Sequence, residues 1–411
     1  MTTISARSTT SALVFLLGAA VFLNYVDRGA IGIAAPLMKS DLGLTEEQYG
    51  IVFSAFFWIY APVQMFAGWL CDRFSVYKLM AAGILLWAVA TLLMGFAGGF
   101  MSLLVLRIML GVGESISFPG SSKIIARHVE PERRGVANAA VATGLALGPA
   151  VGTLSGGLIL QHWGWQPIFL IFGLVTLLWL LPWQRTVRNL PTTGYRDEGQ
   201  RVPLGLLLSK WPLWSMSIVH ALGNYCFYFL LAWLPLFLTQ SRGFSIAEMT
   251  LLATLGYTVQ GVCALGYGHF SDWWTRSGRS EAACRRWMMV ISQLLVAGSV
   301  LGLAFATNAV TIGILLCLAG AATASLSLNL YAVAQMFAGP RASGTWVGVQ
   351  NAIGNLSGIV GPIVTGIVVQ RSGYDSAFIL TAVVGAVGAA WWAFGVPKIE
   401  QVDLRQEQQA N

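Results

Sequence analysis

Four charged side chains lie deep inside long apolar stretches of this 411-residue chain, away from the stretch ends: Asp27 and Arg28 in the first stretch, and Arg107 and Glu114 in the fourth. A charge at the centre of a bilayer costs about 2.5–3.5 kcal/mol on insertion scales, and such residues usually face a cavity or a partner. Arginines can bind an anion, and a carboxylate can take up or release a proton when burial or a neighbouring arginine changes its proton affinity. These four residues form the candidate functional site.

Spacing limits how the four charges can meet. Arg107 and Glu114 are seven residues apart, which places them on one helix face about 10 Å apart, too far for direct contact. We expect each to meet a partner from the first stretch, where Asp27 and Arg28 point about 100° apart. Glu114 is the preferred proton carrier, because no cation adjoins it in sequence whereas Arg28 follows Asp27. The alternative is a static ion-pair network, which we disfavour because apolar packing can replace buried ion pairs.

Other polar residues share these stretches or face the same expected cavity. Singly, each is typical of a hydrogen bond between membrane helices; together they favour a small polyhydroxylated acid as ligand. They are Tyr25, Tyr60 and Gln64 in the first half of the chain, and Asn224, Tyr225, Tyr228, Asn329, Tyr331, Gln350, Asn351 and Asn355 in the second. His220 is interpreted as structural.

The composition of the chain indicates that these residues lie within a membrane protein. The chain is 56% hydrophobic and 10% charged, against about 45–50% and about 25% in soluble domains. This excludes a soluble enzyme, a nucleic-acid-binding domain and a disordered protein. The five cysteines show no metal-type spacing. We therefore expect no enzyme activity, no cofactor, no metal and no nucleic-acid partner.

Twelve apolar stretches are long enough to cross a bilayer as helices. They lie near 12–35, 49–71, 79–99, 102–125, 135–160, 166–184, 213–238, 247–270, 287–306, 309–336, 344–369 and 376–396. Landmarks repeat between the halves, since Gly68-x-x-x-Asp72 matches Gly268-x-x-x-Asp272 and Gly148-Pro149 matches Gly361-Pro362. The prediction is an all-α membrane protein with two six-helix bundles, 1–190 and 206–411, joined by a cytoplasmic linker, 191–205. Such a parallel repeat is typical of transporters that rock around a midplane site.

Charge placement predicts the orientation. The net charge is +7, and with the N-terminus inside, the outer loops receive only Lys39, Arg242 and Arg371 of the basic residues. This positive-inside bias predicts a multi-pass protein with both termini in the cytoplasm. The chain's one Asn-x-Ser/Thr sequon, at Asn355, falls inside a stretch, and with the short first outer loop this favours a bacterial inner membrane.

Several motifs resemble known transporter signatures. Gly68-Trp69-Leu70-Cys71-Asp72-Arg73 with Lys78 resembles the loop signature of the major facilitator superfamily. A narrower resemblance, to the anion:cation symporter family, covers nearly the whole chain. It rests on Asn24-Tyr25-Val26-Asp27-Arg28, Phe57-Trp58-Ile59-Tyr60-Ala61-Pro62-Val63-Gln64, Arg107-x6-Glu114, Phe118-Pro119-Gly120-Ser121-Ser122-Lys123, Glu130-Pro131-Glu132-Arg133-Arg134-Gly135, Gly348-Val349-Gln350-Asn351, Asn355-Leu356 and Gly358-Ile359. That family includes bacterial galactonate, glucarate and hexuronate transporters, sialin and the vesicular glutamate carriers.

The resemblance implies roles for particular residues. It makes Asp27 and Glu114 the proton-coupling acids and Arg28 and Arg107 anion-binding or charge-relay residues. The remaining implied or expected substrate contacts are Tyr25, Tyr60, Gln64, Tyr228, Tyr331, Asn351 and Asn355. Sugar-acid members often have tryptophan at the position of Tyr331, and an aromatic is common at that of Gln350, so the particular substrate stays open.

Asp72 and Arg73 end the second stretch, where a charged pair suits a cytoplasmic latch that forms in one state and breaks in another. A simple topogenic charge cluster explains them equally well.

The sequence thus predicts a proton-coupled symporter that imports a small organic anion, with a sugar acid favoured, and works as a monomer by alternating access. A lipid or drug exporter of the same fold is the alternative, because Gly111-Val112-Gly113-Glu114-Ser115 also resembles the spinster-type lysolipid carriers. A membrane receptor or scaffold would need a sizeable soluble domain, which the short outer loops do not supply.

Overall fold

The computed structural model describes residues 2–129, 134–188, 190 and 203–404, and within these ranges the chain forms helices and no strands. Helices suit a chain this apolar, because a bilayer offers no water to the backbone and a helix satisfies its own N–H and C=O groups. The helices are α1 Thr2–Asp41, α2 Glu46–Arg73, α3 Val76–Met94, α4 Phe100–Glu114, α5 Ser117–His128, α6 Arg134–Trp163, α7 Gln166–Val187, α8 Leu204–Leu208, α9 Trp211–Leu236, α10 Ile246–Arg276, α11 Glu281–Phe305, α12 Ala309–Gly354 and α13 Ser357–Ala390.

Two glycines explain how these helices supply twelve membrane crossings in the described ranges. Gly339 inside α12 has φ 63° and Gly373 inside α13 has φ 81°, a left-handed conformation that glycine adopts without strain. Each marks a turn between crossings, so the eleventh crossing combines the end of α12 with the start of α13. The fourth combines α4 and α5. The predicted twelve-helix fold is confirmed.

The crossings pack as two bundles. In the first, α1 packs on α6 and α7, and α3 packs on α4 and α7. In the second, α10 packs on α12 and α11 packs on α12 and α13. Across the interface α2 meets α13, α6 meets α10 and α1 meets α9. Residues 191–202 of the predicted linker lie outside the described residues, so the exact bundle boundaries stay a prediction.

The two bundles close on each other at the end that carries the α1–α2 turn, which we call the turn end. A Cβ at Gly50 would lie 2.3 Å from the Pro362 carbonyl oxygen, and one at Gly366 would lie 2.7 Å from that of Glu46. The Tyr49 hydroxyl donates to the Ala232 carbonyl at 2.9 Å. Backbone-to-backbone contact of this kind leaves no passage between α2 and the second bundle at these positions.

Candidate functional site

A buried ion pair joins the first and fourth crossings. The Arg28 Nε atom donates to Glu114 Oε2 at 3.0 Å, and the side chains are 8% and 0% exposed. Two further polar atoms of the pair, Arg28 Nη2 and Glu114 Oε1, have no hydrogen-bond partner. The pair therefore neutralises its own charge but retains one donor and one acceptor for another group.

Aromatic rings surround the Arg28 guanidinium. Its central carbon lies 4.6 Å from the ring centroid of Tyr60, 5.0 Å from that of Tyr25 and 5.1 Å from that of Phe56. Cation–π attraction of this kind strengthens when water is excluded. The cage holds the cation in place without neutralising it.

Asp27 occupies a separate environment. Its Oδ2 atom accepts hydrogen bonds from the Trp87 indole at 2.5 Å and from the Thr91 hydroxyl at 3.3 Å, both on α3. The residue is 3% exposed, and its Oδ1 atom has no hydrogen-bond partner. The hydrogen-bond donors to this carboxyl group are thus neutral. No cation pairs with it among the described residues.

Arg107 binds the backbone of α2. Its Nη2 atom donates to the Phe53 carbonyl at 3.1 Å and its Nε atom to the Val52 carbonyl at 3.4 Å. The guanidinium also lies 5.4 Å and 5.2 Å from the ring centroids of Phe53 and Phe56. In this conformation Arg107 ties α4 to α2.

Of the two contacts expected with the first stretch, Glu114 makes one, with Arg28. The expected contact for Arg107 was wrong, because its guanidinium donates to the backbone of α2 instead. Consecutive helical residues point about 100° apart, so Arg28 turns towards α4 while Asp27 turns towards α3. The choice of Glu114 as the preferred proton carrier stays a prediction.

A chain of hydrogen bonds runs from the aromatic cage into the second bundle. Gln64 Nε2 donates to the Tyr60 hydroxyl at 3.2 Å, and Gln64 Oε1 accepts from Asn351 Nδ2 at 3.0 Å. Asn351 Oδ1 in turn accepts from the Tyr331 hydroxyl at 3.2 Å. Four residues proposed from sequence thus form one network across the bundle interface.

Tyr228 and Asn355 also lie together. The Tyr228 hydroxyl donates to Asn355 Oδ1 at 2.6 Å, and the Tyr228 ring centroid lies 4.5 Å from that of Phe57. Tyr228 is close enough to Arg28 to interact with it electrostatically. Polar groups of both bundles therefore face the Arg28 region.

Other polar residues singled out in the sequence have hydrogen-bond partners outside these two groups. Asn329 accepts from Arg285 Nη1 at 2.9 Å, Gln350 accepts from the Trp346 indole at 3.2 Å, and Asn224 donates to the Gly354 carbonyl at 3.3 Å. His220 packs edge-on against Tyr331, with ring centroids 6.0 Å apart.

Sequence reasoning missed the partners of Asp27 and Arg107. Trp87 and Thr91 lie within an ordinary apolar stretch, and backbone carbonyls carry no sequence signal. The side chains of Asp72 and Arg73 lie outside the described part of the structure, so their gating role stays a prediction. Within the described ranges, no group of His, Cys, Asp and Glu side chains is placed to hold a metal ion.

A multi-pass helical membrane protein with two packed bundles and a polar centre at their interface has the architecture of a membrane transporter. The sequence profile of the Major Facilitator Superfamily matches residues 17–280 and 278–411, and the chain belongs to that superfamily. Membership of this transporter superfamily also bears out the expectation that the chain is not an enzyme.

The similar proteins include transporters of anions. The chain is 31% identical to the probable sulfoacetate transporter of Cupriavidus necator, over 90% of this chain and 89% of that protein. It is 27% identical to the probable galactarate/D-glucarate transporter of Bacillus subtilis, over 97% and 94% of the two chains. A bacterial homologue of the human lysosomal transporter Spinster, in an inward-facing, unoccupied crystal structure, superposes with a TM-score of 0.80 at 19% identity, covering 95% of this chain and 98% of that one. The predicted resemblance to the anion transporters of this superfamily is confirmed.

Proposed function

We propose that this protein is a proton-coupled symporter that imports a small organic anion, with a sugar acid as the favoured class. Arg28 takes the carboxylate of the substrate, and Glu114 and Asp27 carry the coupling protons. The proposed location is the inner membrane of a bacterium, with both termini in the cytoplasm and the protein acting as a monomer.

The Arg28–Glu114 ion pair is the observation that carries this proposal. An ionised Glu114 occupies the cation, whereas a protonated Glu114 no longer neutralises Arg28 and leaves its charge for another anion. Binding of substrate and binding of a proton then favour each other, because both break the same pair. Breaking a buried ion pair without replacement is costly, about 3–5 kcal/mol, so substrate and proton are expected to arrive together.

Asp27 supplies a second, separate protonation site in this scheme. Its carboxyl group sits among Trp87 and Thr91, away from the substrate side of Arg28. Protonation of Asp27 therefore affects the packing of α1 against α3 and not the contact between Arg28 and the anion.

Alternating access follows from the two bundles. We propose that residues 1–190 rock against residues 206–411, with the turn end outside. The turn end is closed in this conformation, so the conformation corresponds to a transporter that cannot admit substrate from outside. The Gln64–Asn351 hydrogen bond crosses the interface and would break or re-form as substrate enters.

The polar residues around Arg28 support a hydroxylated substrate. Tyr25, Tyr60, Gln64, Tyr331 and Asn351 offer hydroxyl and amide groups that can hydrogen-bond sugar hydroxyls, while Arg28 offers the charge-assisted bond to a carboxylate. A relative named as a galactarate/D-glucarate transporter fits this class, and one named as a sulfoacetate transporter shows that short anions deserve testing.

Uptake into proteoliposomes tests the proposal. The panel contains D-galactonate, D-glucarate, D-glucuronate, sulfoacetate and a lysolipid, each with and without an inward proton gradient. We expect accumulation of at least one acid that depends on the gradient. Uptake of the lysolipid without any acid, or acid uptake indifferent to the gradient, contradicts the symporter proposal.

Glu114→Gln tests the coupling itself. Glutamine keeps the size of the side chain but cannot ionise, so Arg28 stays free and substrate binding no longer depends on a proton. We expect gradient-driven accumulation to be abolished while counterflow exchange of the same substrate persists. Normal accumulation under an inward proton gradient would show that Glu114 does not couple.

One observation favours the exporter alternative. An apolar groove of about 520 Å³ lies on the outer surface between α10 and α12, lined by residues including Leu252, Leu255, Val310, Ile314 and Leu318. Such a groove suits an acyl chain. Its lining includes none of the residues around Arg28, so the lysolipid arm of the uptake panel decides whether it serves transport.

A further inference from the structure

Trp87 combines a place in the buried core with a hydrogen bond to one of the four charges of the site. It is a fully buried residue on α3 whose indole N–H points at the Asp27 carboxylate. Tryptophan indoles in membrane proteins usually lie at the interface with water. The buried Trp165 indole likewise donates to a carboxylate, that of Asp41 at 2.9 Å, but the acceptor of Trp87 is one of the four charges of the candidate site.

The backbone fixes the position of this indole. A Cβ at Gly113 would lie 2.7 Å from the Gly83 carbonyl oxygen and 2.6 Å from the Trp87 backbone nitrogen, so α3 and α4 touch backbone to backbone. Trp87 follows Gly83 by one helical turn, and Glu114 follows Gly113 directly. The close contact between α3 and α4 thus fixes the positions of both the Trp87 indole that donates to Asp27 and the Glu114 carboxylate that pairs with Arg28.

We propose that Trp87 is a positioning residue whose indole holds Asp27 as a hydrogen-bonded carboxylate against α3. The inference deepens the proposed function, since it concerns one of the two coupling acids, but its test does not need transport.

The groups around Asp27 make the expected effect predictable. α3 presents the Trp87 indole and the Thr91 hydroxyl, α4 presents the Glu114 carboxylate, α7 presents the Thr176 hydroxyl, and α1 itself carries Arg28. The donors favour an ionised Asp27, and Glu114 disfavours it. Trp87→Phe removes the shortest donor and keeps an aromatic ring, so the ionised form loses support and a larger share of Asp27 is protonated at any given pH.

Carbodiimide labelling measures this share, because dicyclohexylcarbodiimide reacts with protonated carboxyl groups in apolar surroundings. The purified full-length protein is labelled over a pH series, and modification at residue 27 is followed by peptide mass mapping. We expect the pH of half-maximal labelling to move upward by about one to two pH units in Trp87→Phe, the worth of one hydrogen bond to a charged group. Thr91→Val, which removes the longer bond, moves it in the same direction by less.

Trp179→Phe is the matched control, because it removes another buried indole whose acceptor is the Leu16 carbonyl at 3.0 Å. It is expected to leave labelling at residue 27 unchanged. An unchanged midpoint in folded Trp87→Phe overturns the proposal. If Trp87→Phe does not fold, Trp87→Met takes its place, with the same upward shift expected and an unchanged midpoint overturning the proposal. Failure of the wild type to transport any acid contradicts the proposed function alone, because labelling requires no substrate.

Discussion

Single buried charges in this protein are stabilised in three different ways. Arg28 and Glu114 neutralise each other, Asp27 accepts bonds from neutral donors, and Arg107 donates to backbone carbonyls. Each arrangement avoids the penalty of an isolated charge in the membrane. Because the partners differ, substituting each charge has a different consequence.

Arg107→Lys distinguishes a structural from an anion-binding role. A lysine cannot reproduce the two-pronged bond to the Val52 and Phe53 carbonyls, so at least one hydrogen bond from a charged group is lost. We expect the purified variant to lose about 1.5–3 kcal/mol of stability, measured as a lowered melting temperature in detergent. Arg28→Lys is the comparison, since one ammonium group still faces Glu114. An unchanged melting temperature with weakened anion binding would instead support the anion-binding role that the family resemblance implies for Arg107.

Sequence could identify the four charges but could not assign their partners. Asp27, Arg28, Arg107 and Glu114 stand out because nearly every other charge falls in a loop, a tail or a helix end. Pairing depends on the rotation of each helix about its axis, and adjacency in sequence is a poor guide to contact on a helix. The donors to Asp27 are an indole and a hydroxyl, and the acceptors of Arg107 are backbone carbonyls. None of these groups stands out in the sequence from those of other membrane helices.

At the scale of helices, α2 contacts the most parts of the site. Gly50 meets α13, Val52 and Phe53 supply the carbonyls that hold Arg107, and Tyr60 and Gln64 follow further along the helix. Helices associate in a membrane through close packing of small residues, since lipid offers no hydrophobic drive. Gly50 and Gly366 provide such packing between α2 and α13 at the turn end.

Gly50→Ala tests that approach. The added methyl group would lie 2.3 Å from the Pro362 carbonyl oxygen, and a backbone atom cannot move aside cheaply. We expect the turn end to open more often, measured as faster modification by an impermeant thiol reagent at Ala232→Cys in a background without the five native cysteines. Gly298→Ala on α11, where a Cβ meets nothing within 4 Å, is the control and should match the parent. Equal labelling rates in both variants would show that the Gly50 contact does not hold this end closed.

Helix positions were largely predictable because hydropathy and bilayer thickness determine them together. The joins differ in this respect. Gly339 and Gly373 fall in the gaps between predicted stretches, 337–343 and 370–375, where the structure needs only a single residue with positive φ for each turn. The break between α4, which ends at Glu114, and α5, which begins at Ser117, lies within one apolar stretch and leaves no trace in hydropathy.

For the whole molecule, the repeat of landmarks between the halves predicted two bundles, but the sequence alone left open which end is closed. A transporter's sequence must support conformations open at either end, separated by a few kcal/mol, so contacts that close one end are individually weak. Here Tyr49 donates to Ala232, the Glu47 backbone N–H donates to Gln370, and the Tyr374 hydroxyl lies 3.4 Å from Glu46. Small changes to such contacts should move the population without unfolding either bundle.

Tyr49→Phe makes the smallest such change. Phenylalanine keeps the edge-on packing against Trp233, whose ring centroid lies 5.2 Å from that of Tyr49, but removes the hydrogen bond to the Ala232 carbonyl that forms when the turn end is closed. One hydrogen bond contributes about 0.5–1.5 kcal/mol net, and here the loss falls on the closed form alone. The ratio of open to closed molecules should therefore rise by about two- to 13-fold.

Spin labels at Ser40→Cys and Ser372→Cys, both exposed at the turn end, report the separation of the bundles as a distance distribution. We expect Tyr49→Phe to increase the long-distance population, and Tyr267→Phe, near the opposite end of α10, to leave the distribution as in the parent. A distribution unchanged by Tyr49→Phe would mean that backbone contacts at the glycines, and not hydrogen bonds, keep the turn end closed. Gly50→Ala should then account for all of the opening of the turn end, measured by thiol labelling, because this substitution disturbs the backbone contacts that remain.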